Sequence, residues 1–253
     1  MSNEENFNNE IILTLVLPVY NEGDAVIPVI STLFLTVHFP FKILVVYDSP
    51  DDITIPTIRK LQEHFHDLYL VQNEWKRGVL NAIKTGFKNA DTKYVGIWLS
   101  YHLDPFGILN NMIEKLESGY DLVSANRFGV DKRIVRGHKI KKLLSFLGNI
   151  ILNRIIEMPI SDVTTSLKLY RKTKLDSINI ETHSTGGWAI NTELAIKAAI
   201  RGYRLAEIPL ESRNINLIHG LSKFKILKQL PEYFRWLYMG WQNRTIIKSH
   251  LTM

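Results

Sequence analysis

Three absences limit what this chain can be. It contains no cysteine, which excludes disulfide bonds and thiolate metal sites. No uninterrupted run of about 18 apolar residues is present, so we expect no helix that spans a bilayer. The first ten residues, MSNEENFNNE, are polar and acidic, unlike a signal peptide, and we expect them to be disordered. These absences predict a cytoplasmic protein that is soluble or peripheral at the inner face of the membrane.

Signatures of nucleic-acid binding are also missing. The sequence has no zinc-finger spacing, no helix-turn-helix pattern and no RNA-recognition signature. Its net charge is nevertheless +6, and such a cationic surplus favours an anionic partner. A nucleotide, a lipid phosphate or an anionic membrane surface therefore fits better than a nucleic acid.

What is present is enough for a folded α/β domain. The chain has 253 residues, of which 45% are hydrophobic, so it can bury a core of its own. Short apolar segments predict strands at 13–17, 42–47, 68–72, 94–99 and 120–125. Segments between them predict helices at 25–35, 56–65, 79–89 and 105–117. Strands that alternate with helices at this spacing indicate a mostly parallel sheet flanked by helices.

The second half of the chain is less regular. The elements predicted there are a helix at 139–156, a strand within 162–171, a helix at 188–200 and a strand at 204–210. No internal repeat or low-complexity linker is visible, so we predict one α/β domain over residues 11–223. Residues 224–253 are predicted to be a basic, aromatic helical tail. Aromatic rings beside basic residues fit either a helix in a membrane interface or a helix packed on the sheet.

The stretch LTLVLPVYNE at 13–22 gives the strongest local signal. Its apolar run predicts a buried strand that ends at Pro18, because proline cannot donate to a sheet. Tyr20, Asn21 and Glu22 would follow the carboxyl end of that strand, where ligands collect in open α/β sheets. An aromatic ring, an amide and a carboxylate suit a nucleotide base and ribose. A simple strand-to-helix turn with a capping group is the alternative.

Six landmarks follow one another in order along most of the chain. They are LVLPVYNE at 15–22, VVYDSPDDIT at 45–54, RGVLNAIKTGF at 77–87, GYDLVSANRF at 119–128, STGGWAINTELAIKAAIRGYRLAEIPL at 184–210 and GLSKF at 220–224. Together they resemble the family 2 glycosyltransferases, in particular the dolichyl- and polyprenyl-phosphate sugar transferases. The resemblance implies the GT-A (nucleotide-diphospho-sugar transferase) fold. It also implies an inverting transfer of a sugar to a polyprenyl-phosphate lipid or a cell-envelope glycan.

The resemblance further implies a pocket for a UDP- or GDP-linked sugar at the carboxyl ends of the first strands. The candidate nucleotide-sugar-binding residues are Pro18, Tyr20, Glu22, Asp48, Asp52, Arg77 and Gly78. A carboxylate such as Glu22 or Asp48 can accept a hydrogen bond from the ring N–H of uracil or guanine. For Asp52, helix capping is an equally good interpretation, since acids stabilise the first turn of a helix. For Gly78, the alternative is a simple turn glycine.

On the acceptor side, Arg127 matches an arginine that lies near the acceptor phosphate in the lipid-phosphate transferases. A planar guanidinium suits a phosphate, because it donates paired hydrogen bonds. Arg136, Ser222 and Lys223 are predicted to complete this anion site. A phosphate acceptor needs no strong base, whereas for a hydroxyl acceptor Glu193 is the candidate catalytic base. A helix-surface carboxylate without a catalytic role is the alternative for Glu193.

The chain departs from the family where an Asp-x-Asp metal motif normally follows the fourth strand. Without a gap, the two acids would fall on Leu99 and Tyr101 in the stretch WLSYHLDPF; slipped by one residue, they would fall on Trp98 and Ser100, and neither register supplies a carboxylate. The remaining candidate ligands for Mn²⁺ or Mg²⁺ are His102 and Asp104, where the imidazole favours Mn²⁺. The alternative is that Asp104 caps the following helix and His102 is an ordinary loop residue. The charge of the departing diphosphate could be met by a metal or by cations.

The missing acids leave a second function open. A relative that has lost catalysis would bind a nucleotide sugar or a partner without turnover. A nucleotidyltransferase on a similar scaffold is disfavoured, because PVYNE stands where its glycine-rich phosphate loop would follow the first strand.

Overall fold

The computed structural model describes residues 10–104, 107–127, 147–150, 152–210 and 226–251. Its strands are β1 (Leu13–Pro18), β2 (Phe41–Tyr47), β3 (Leu68–Gln72), β4 (Tyr94–Ile97), β5 (Leu122–Asn126), β6 (Lys168–Arg171) and β7 (Leu205–Pro209). They form one sheet in the order β3-β2-β1-β4-β6-β5-β7. β6 runs antiparallel to β4 and β5, while the other pairs are parallel. The prediction of a mostly parallel sheet is confirmed.

Helices cover both faces of this sheet. They are α1 (Ile27–Thr36), α2 (Thr54–Gln62), α3 (Val79–Asn89), α4 (Ile108–Glu117), α5 (Lys172–Asp176), α6 (Ile190–Ile200), α7 (Ile226–Gln242) and α8 (Arg244–Leu251). Short 3-10 helices span Gly23–Val26 and Ser184–Ala189, and a π-helical turn spans Leu152–Ile156. Pro28 lies in the first turn of α1, where its missing N–H costs nothing.

The alternation of side chains along β1 separates two hydrophobic clusters. Val16 faces a cluster that includes α3, α6 and α7. Leu15 and Leu17 face the opposite cluster, which includes α1, α2 and α4. Because both faces of β1 are buried, its sequence is apolar along most of its length instead of alternating with polar residues. A Cβ at Gly86 would lie only 2.2 Å from Val16 Cγ1, so glycine allows α3 to pack closely on β1.

Two element boundaries differ from the predicted ones in the region that matters for the site. β4 ends at Ile97, two residues early, because Leu99 to His102 form a turn closed by the His102 N–H and the Leu99 carbonyl, 3.0 Å apart. α4 begins at Ile108 after Gly107, whose φ of 64° is left-handed. Half of the predicted helix at 139–156 lies outside the described residues; of the other half, 147–150 are α-helical and Leu152–Ile156 form the π-helical turn.

The carboxyl-terminal tail is helical and packs on the rest of the fold. Trp236 of α7 is fully buried, and its Nε1 donates to Thr182 Oγ1 at 3.1 Å. Phe234, Tyr238 and Trp241 lie on the outer face of α7 and are exposed. Within the described ranges, no helix combines the length and apolarity needed to cross a membrane.

Candidate functional site

An open cleft lies at the carboxyl ends of β1 and β2. The parallel register puts Pro18 beside Val46, so the loops that leave these two strands are neighbours. The cleft is lined by Tyr20, Asn21, Asp48, Ser49, Asp51, Asp52 and Arg77. The structure therefore brings four predicted nucleotide-sugar-binding residues to one hollow: Tyr20, Asp48, Asp52 and Arg77.

Asp48 connects the cleft to the turn before α3. Its Oδ1 accepts a hydrogen bond from Asn73 Nδ2 at 2.7 Å, and its Oδ2 accepts one from the Gly78 N–H at 2.9 Å. Arg77 is exposed, and its Nη2 donates to Ser49 Oγ at 3.3 Å. Gly78 has a φ of 129°, a conformation that favours glycine. Asp48 thus fixes the turn that presents Arg77 to the cleft.

Asp52 is bound on both oxygens by backbone N–H groups. Oδ1 accepts from Thr54 at 2.8 Å, and Oδ2 accepts from Asn21 at 3.0 Å. Thr54 begins α2, so the capping interpretation describes what Asp52 does in this structure. Asn21 has a φ of 53°, which asparagine tolerates better than most residues. Asp52 therefore shapes the loop that leaves β1, and its direct contact with a nucleotide stays a prediction.

Pro18, Glu22 and Gly78 lie at the margin of the cleft rather than in its lining. Pro18 ends β1 as predicted, and Glu22 is half-buried. The Glu22 N–H donates to Thr54 Oγ1 at 2.9 Å, which ties this loop to α2. Tyr20 is 54% exposed and presents its ring to the open side.

A second group of polar side chains surrounds Arg127 at the end of β5. Burial raises the pKa of Tyr101 to about 12, with the Arg127 charge opposing the rise and Glu22 adding to it. Burial also raises the pKa of Tyr233 to about 12, again opposed by Arg127. The phenols of the β4 turn and of α7 thus lie within electrostatic reach of one guanidinium. Tyr233 carried no sequence signal as a site residue, and Tyr101 was notable in the sequence only as a position that lacks an acid.

Arg127 itself is paired with a buried carboxylate. Its Nε and Nη2 donate to Asp162 Oδ2 and Oδ1, both at 2.7 Å, and Asp162 is fully buried. Burial alone would raise the pKa of the Asp162 carboxyl, but the charge and hydrogen bonds of Arg127 hold it below its usual value. Asn149 Nδ2 also donates to Asp162 Oδ1 at 3.2 Å. The predicted phosphate contact of Arg127 is untested, and Asp162, which orients this guanidinium, carried no sequence signal.

Glu193 does not lie in the cleft, and the geometry does not support its predicted role as a base. Its side chain is fully buried on α6, where Lys197 Nζ donates to Oε1 at 2.7 Å. The other donors to its carboxylate are the Thr182 N–H, the Thr182 hydroxyl and the Glu181 N–H. A carboxylate that is enclosed and saturated in this way cannot take a proton from an acceptor. Neither the catalytic base nor the surface carboxylate describes Glu193, because it forms an ion pair with Lys197 in the core.

His102 and Asp104 do not form the predicted metal pair. Asp104 is buried, and its Oδ1 and Oδ2 accept hydrogen bonds from the Ile108 and Leu109 N–H groups at 2.8 and 3.2 Å. These are the first N–H groups of α4, so Asp104 stabilises the helix start, which was the alternative. His102 is 4% exposed and packs edge-on against Trp98, and burial lowers its pKa to about 4.

The donor set at this turn therefore does not fit a divalent ion. Both Asp104 carboxylate oxygens accept hydrogen bonds from the first turn of α4, and the His102 imidazole is buried in the core. Among the residues that the structure describes, no three His, Cys, Asp or Glu side chains group around a common point. The predicted anion-site residues Arg136, Ser222 and Lys223 lie outside the described residues.

Comparison with known proteins reveals relatives of similar sequence. The chain is 27% identical over 205 residues to the dolichyl-phosphate hexose transferase of Haloferax volcanii, covering 79% of this chain and 82% of that protein. It is 20% identical over 203 residues to the dolichol-phosphate mannosyltransferase of Mycosarcoma maydis, covering 78% of this chain and 68% of that protein.

A solved structure has the same fold. It is glucosyl-3-phosphoglycerate synthase from Mycobacterium tuberculosis in complex with Mn²⁺, UDP and phosphoglyceric acid. The TM-score is 0.64 at 16% identity, and the match covers 92% of this chain and 78% of that one. At this identity the likeness shows the GT-A fold alone. The model of the family described as glycosyl transferase family 2 matches residues 14–178, more than half of the chain, and the protein therefore belongs to this family of glycosyltransferases.

Proposed function

We propose that this glycosyltransferase moves a sugar from a UDP- or GDP-linked donor to the phosphate of a polyprenyl- or dolichyl-type lipid. The observation that carries the proposal is the cleft where Tyr20, Asp48 and Arg77 meet at the carboxyl ends of β1 and β2. An aromatic ring, an acceptor carboxylate and a cation suit a base, a ribose and a diphosphate. The names of the two dolichyl relatives support the lipid-phosphate acceptor.

A phosphate acceptor also agrees with the absence of a usable base at Glu193. In the proposed reaction, an acceptor phosphate oxygen attacks the anomeric carbon from the side opposite the diphosphate. The new C–O bond forms as the old one breaks, and the nucleoside diphosphate leaves with the electron pair, so the configuration inverts. A phosphate oxygen already carries the charge that a hydroxyl would gain only by losing a proton. A hydroxyl of a cell-envelope glycan would need a base to take its proton, and Glu193, the candidate for that role, is enclosed in the core.

Asp48→Asn is expected to weaken donor binding about tenfold, since a hydrogen bond to a charged acceptor contributes roughly 1.5–3 kcal/mol. The new amide would turn an N–H towards either Asn73 Nδ2 or the Gly78 N–H, and the turn that carries Arg77 would shift. Calorimetry with UDP, GDP, UDP-glucose and GDP-mannose measures the loss. Glu63→Gln, an exposed acid at the end of α2, is the matched control.

Transfer is measured with the same donors and a short-chain polyprenyl phosphate in detergent or vesicles. Formation of a glycosyl phosphate lipid supports the proposal. Donor binding without transfer to any lipid phosphate or glycan acceptor would favour the catalytically degenerate alternative. An unchanged donor affinity in Asp48→Asn would remove the cleft from the proposal.

We further propose that the outer face of α7 rests on an anionic membrane at the inner surface. Phe234, Tyr238 and Trp241 are exposed by 63%, 58% and 45%, and their spacing places them on one helical face. The Arg244 guanidinium lies 5.1 Å from the Trp241 ring centroid. Aromatic rings beside a cation are typical of interfacial helices.

Replacing Phe234, Tyr238 and Trp241 together by serine is expected to reduce sedimentation with phosphatidylglycerol vesicles by about tenfold or more, because the buried apolar area would be lost. Leu35→Ser, which removes a 79% exposed side chain from α1, is the control. Equal sedimentation of the triple variant and the unchanged protein would contradict the membrane contact.

A further inference from the structure

The turn after β4 orients its side chains in a definite way. The Trp98 N–H donates to the Val16 carbonyl at 2.9 Å, so the chain leaves the sheet beside the exit of β1. The Trp98 indole Nε1 donates to the His102 carbonyl at 2.8 Å and closes the turn from the inside. Both contacts fix the direction in which the turn projects.

This arrangement buries the groups that could bind a metal and leaves Tyr101 less buried than they are. Ser100, His102 and Asp104 are 5%, 4% and 1% exposed, whereas Tyr101 between them is partly exposed. Tyr101 is also the residue at the position of the second acid when the Asp-x-Asp motif is aligned without a gap. In that alignment, a neutral hydroxyl that can donate a hydrogen bond occupies the place where a metal-binding carboxylate is expected.

The surroundings of Tyr101 link it to both sides of the site. Glu22, from the loop after β1, and Arg127, at the end of β5, both act electrostatically on its phenol. The loop after β1 also carries Tyr20 and Asn21, which line the cleft. The hydrogen bond between Trp98 and Val16 also sets this turn beside the end of β1, so Tyr101 lies near the loop that lines the cleft.

From this placement we propose that the Tyr101 hydroxyl donates a hydrogen bond to the donor diphosphate, which the chain binds without a divalent metal. Arg77, the cation that lines the cleft, supplies the compensating charge. A phenol and a guanidinium both donate hydrogen bonds to phosphate oxygens, and a guanidinium keeps its charge at all working pH values. This inference rests on the proposed function, since it concerns the same nucleotide.

The first test measures UDP and GDP binding by calorimetry in EDTA and again with Mn²⁺ or Mg²⁺. The dissociation constants are expected to agree within about twofold, because no metal ligand contributes to either value. Binding that occurs only with a metal would overturn this inference and leave the proposed function intact. No binding of either nucleotide under any condition would instead remove the proposed function, and this inference with it.

The second test is Tyr101→Phe, which keeps the ring and removes the hydroxyl. It is expected to weaken nucleotide binding about tenfold in EDTA and in Mn²⁺ alike, the size typical of a hydrogen bond to a charged group. The temperature of unfolding should not change. Tyr69→Phe, an exposed phenol on β3, is the matched control and should bind as the unchanged protein does. Unaltered affinity in Tyr101→Phe would overturn the role of the hydroxyl.

Discussion

Glu193→Gln is expected to lower the free energy of unfolding by roughly 3–5 kcal/mol, the cost of breaking a buried ion pair on one side. The Glu193 side chain is 0% exposed and that of Lys197 only 7%, so the lysine would lose its buried partner and keep Glu181, which is 38% exposed. The amide would also turn an N–H towards the donors on Thr182 and Glu181. Urea denaturation followed by circular dichroism measures the change.

A control variant and a measurement of turnover distinguish a structural role of Glu193 from a catalytic one. Glu114→Gln, an exposed acid on α4, is expected to change stability by less than about 0.5 kcal/mol. A base would behave in another way, since its amide variant would fold normally and lose turnover. If Glu193→Gln keeps full stability and loses only turnover, that result would support the predicted role of Glu193 as a catalytic base.

Asp162→Asn is expected to cost a similar amount, roughly 3–5 kcal/mol, because it leaves the Arg127 guanidinium without its counter-charge. The two side chains form a pair with both bonds at 2.7 Å, and Asp162 is fully buried. Asp162 is also close enough to Lys168 for the two charges to influence each other, so the loss removes charge compensation at two cations. Urea denaturation again gives the magnitude.

A double variant tests whether the pair is the cause. In Arg127→Met with Asp162→Asn, both charges are gone, and the combined loss of stability should be smaller than the sum of the two single losses. Asp176→Asn is the control, because this 56% exposed partner of Lys172 makes a surface pair that contributes at most about 1 kcal/mol. Additive losses in the double variant would show that Arg127 and Asp162 are not coupled.

The position of the proposed nucleotide cleft followed from local sequence. Pro18 had to end a buried strand, and the polar residues after it had to lie at a carboxyl edge, since a parallel sheet collects these ends on one side. The same reasoning applied to Asp48 after β2, and both loops line the cleft. Helix α3 was predicted with both of its boundaries, because its apolar positions repeat with the helical period and Gly78 precedes it.

The roles of individual carboxylates could not be predicted in the same way. Asp48, Asp104 and Glu193 all carry a carboxylate, and nothing in the local sequence separates their roles. Of these three, only Asp48 lies in the cleft lining. Their partners decide the difference. Asp104 serves the first N–H groups of a helix that begins later than predicted, and Glu193 lies opposite a lysine one helical turn away on a buried face.

Sequence alone determined the order of strands and helices, the family resemblance and the edge of the sheet where a ligand would bind, because each depends on periodicity and on neighbours along the chain. Tertiary structure decided which charged groups remain available for chemistry. Arg127 meets Asp162 across 35 residues, and Asn21 meets Asp52 across 31. No local pattern encodes such pairs. The carboxylates become buried and gain their hydrogen-bond donors only when distant segments of the chain pack together.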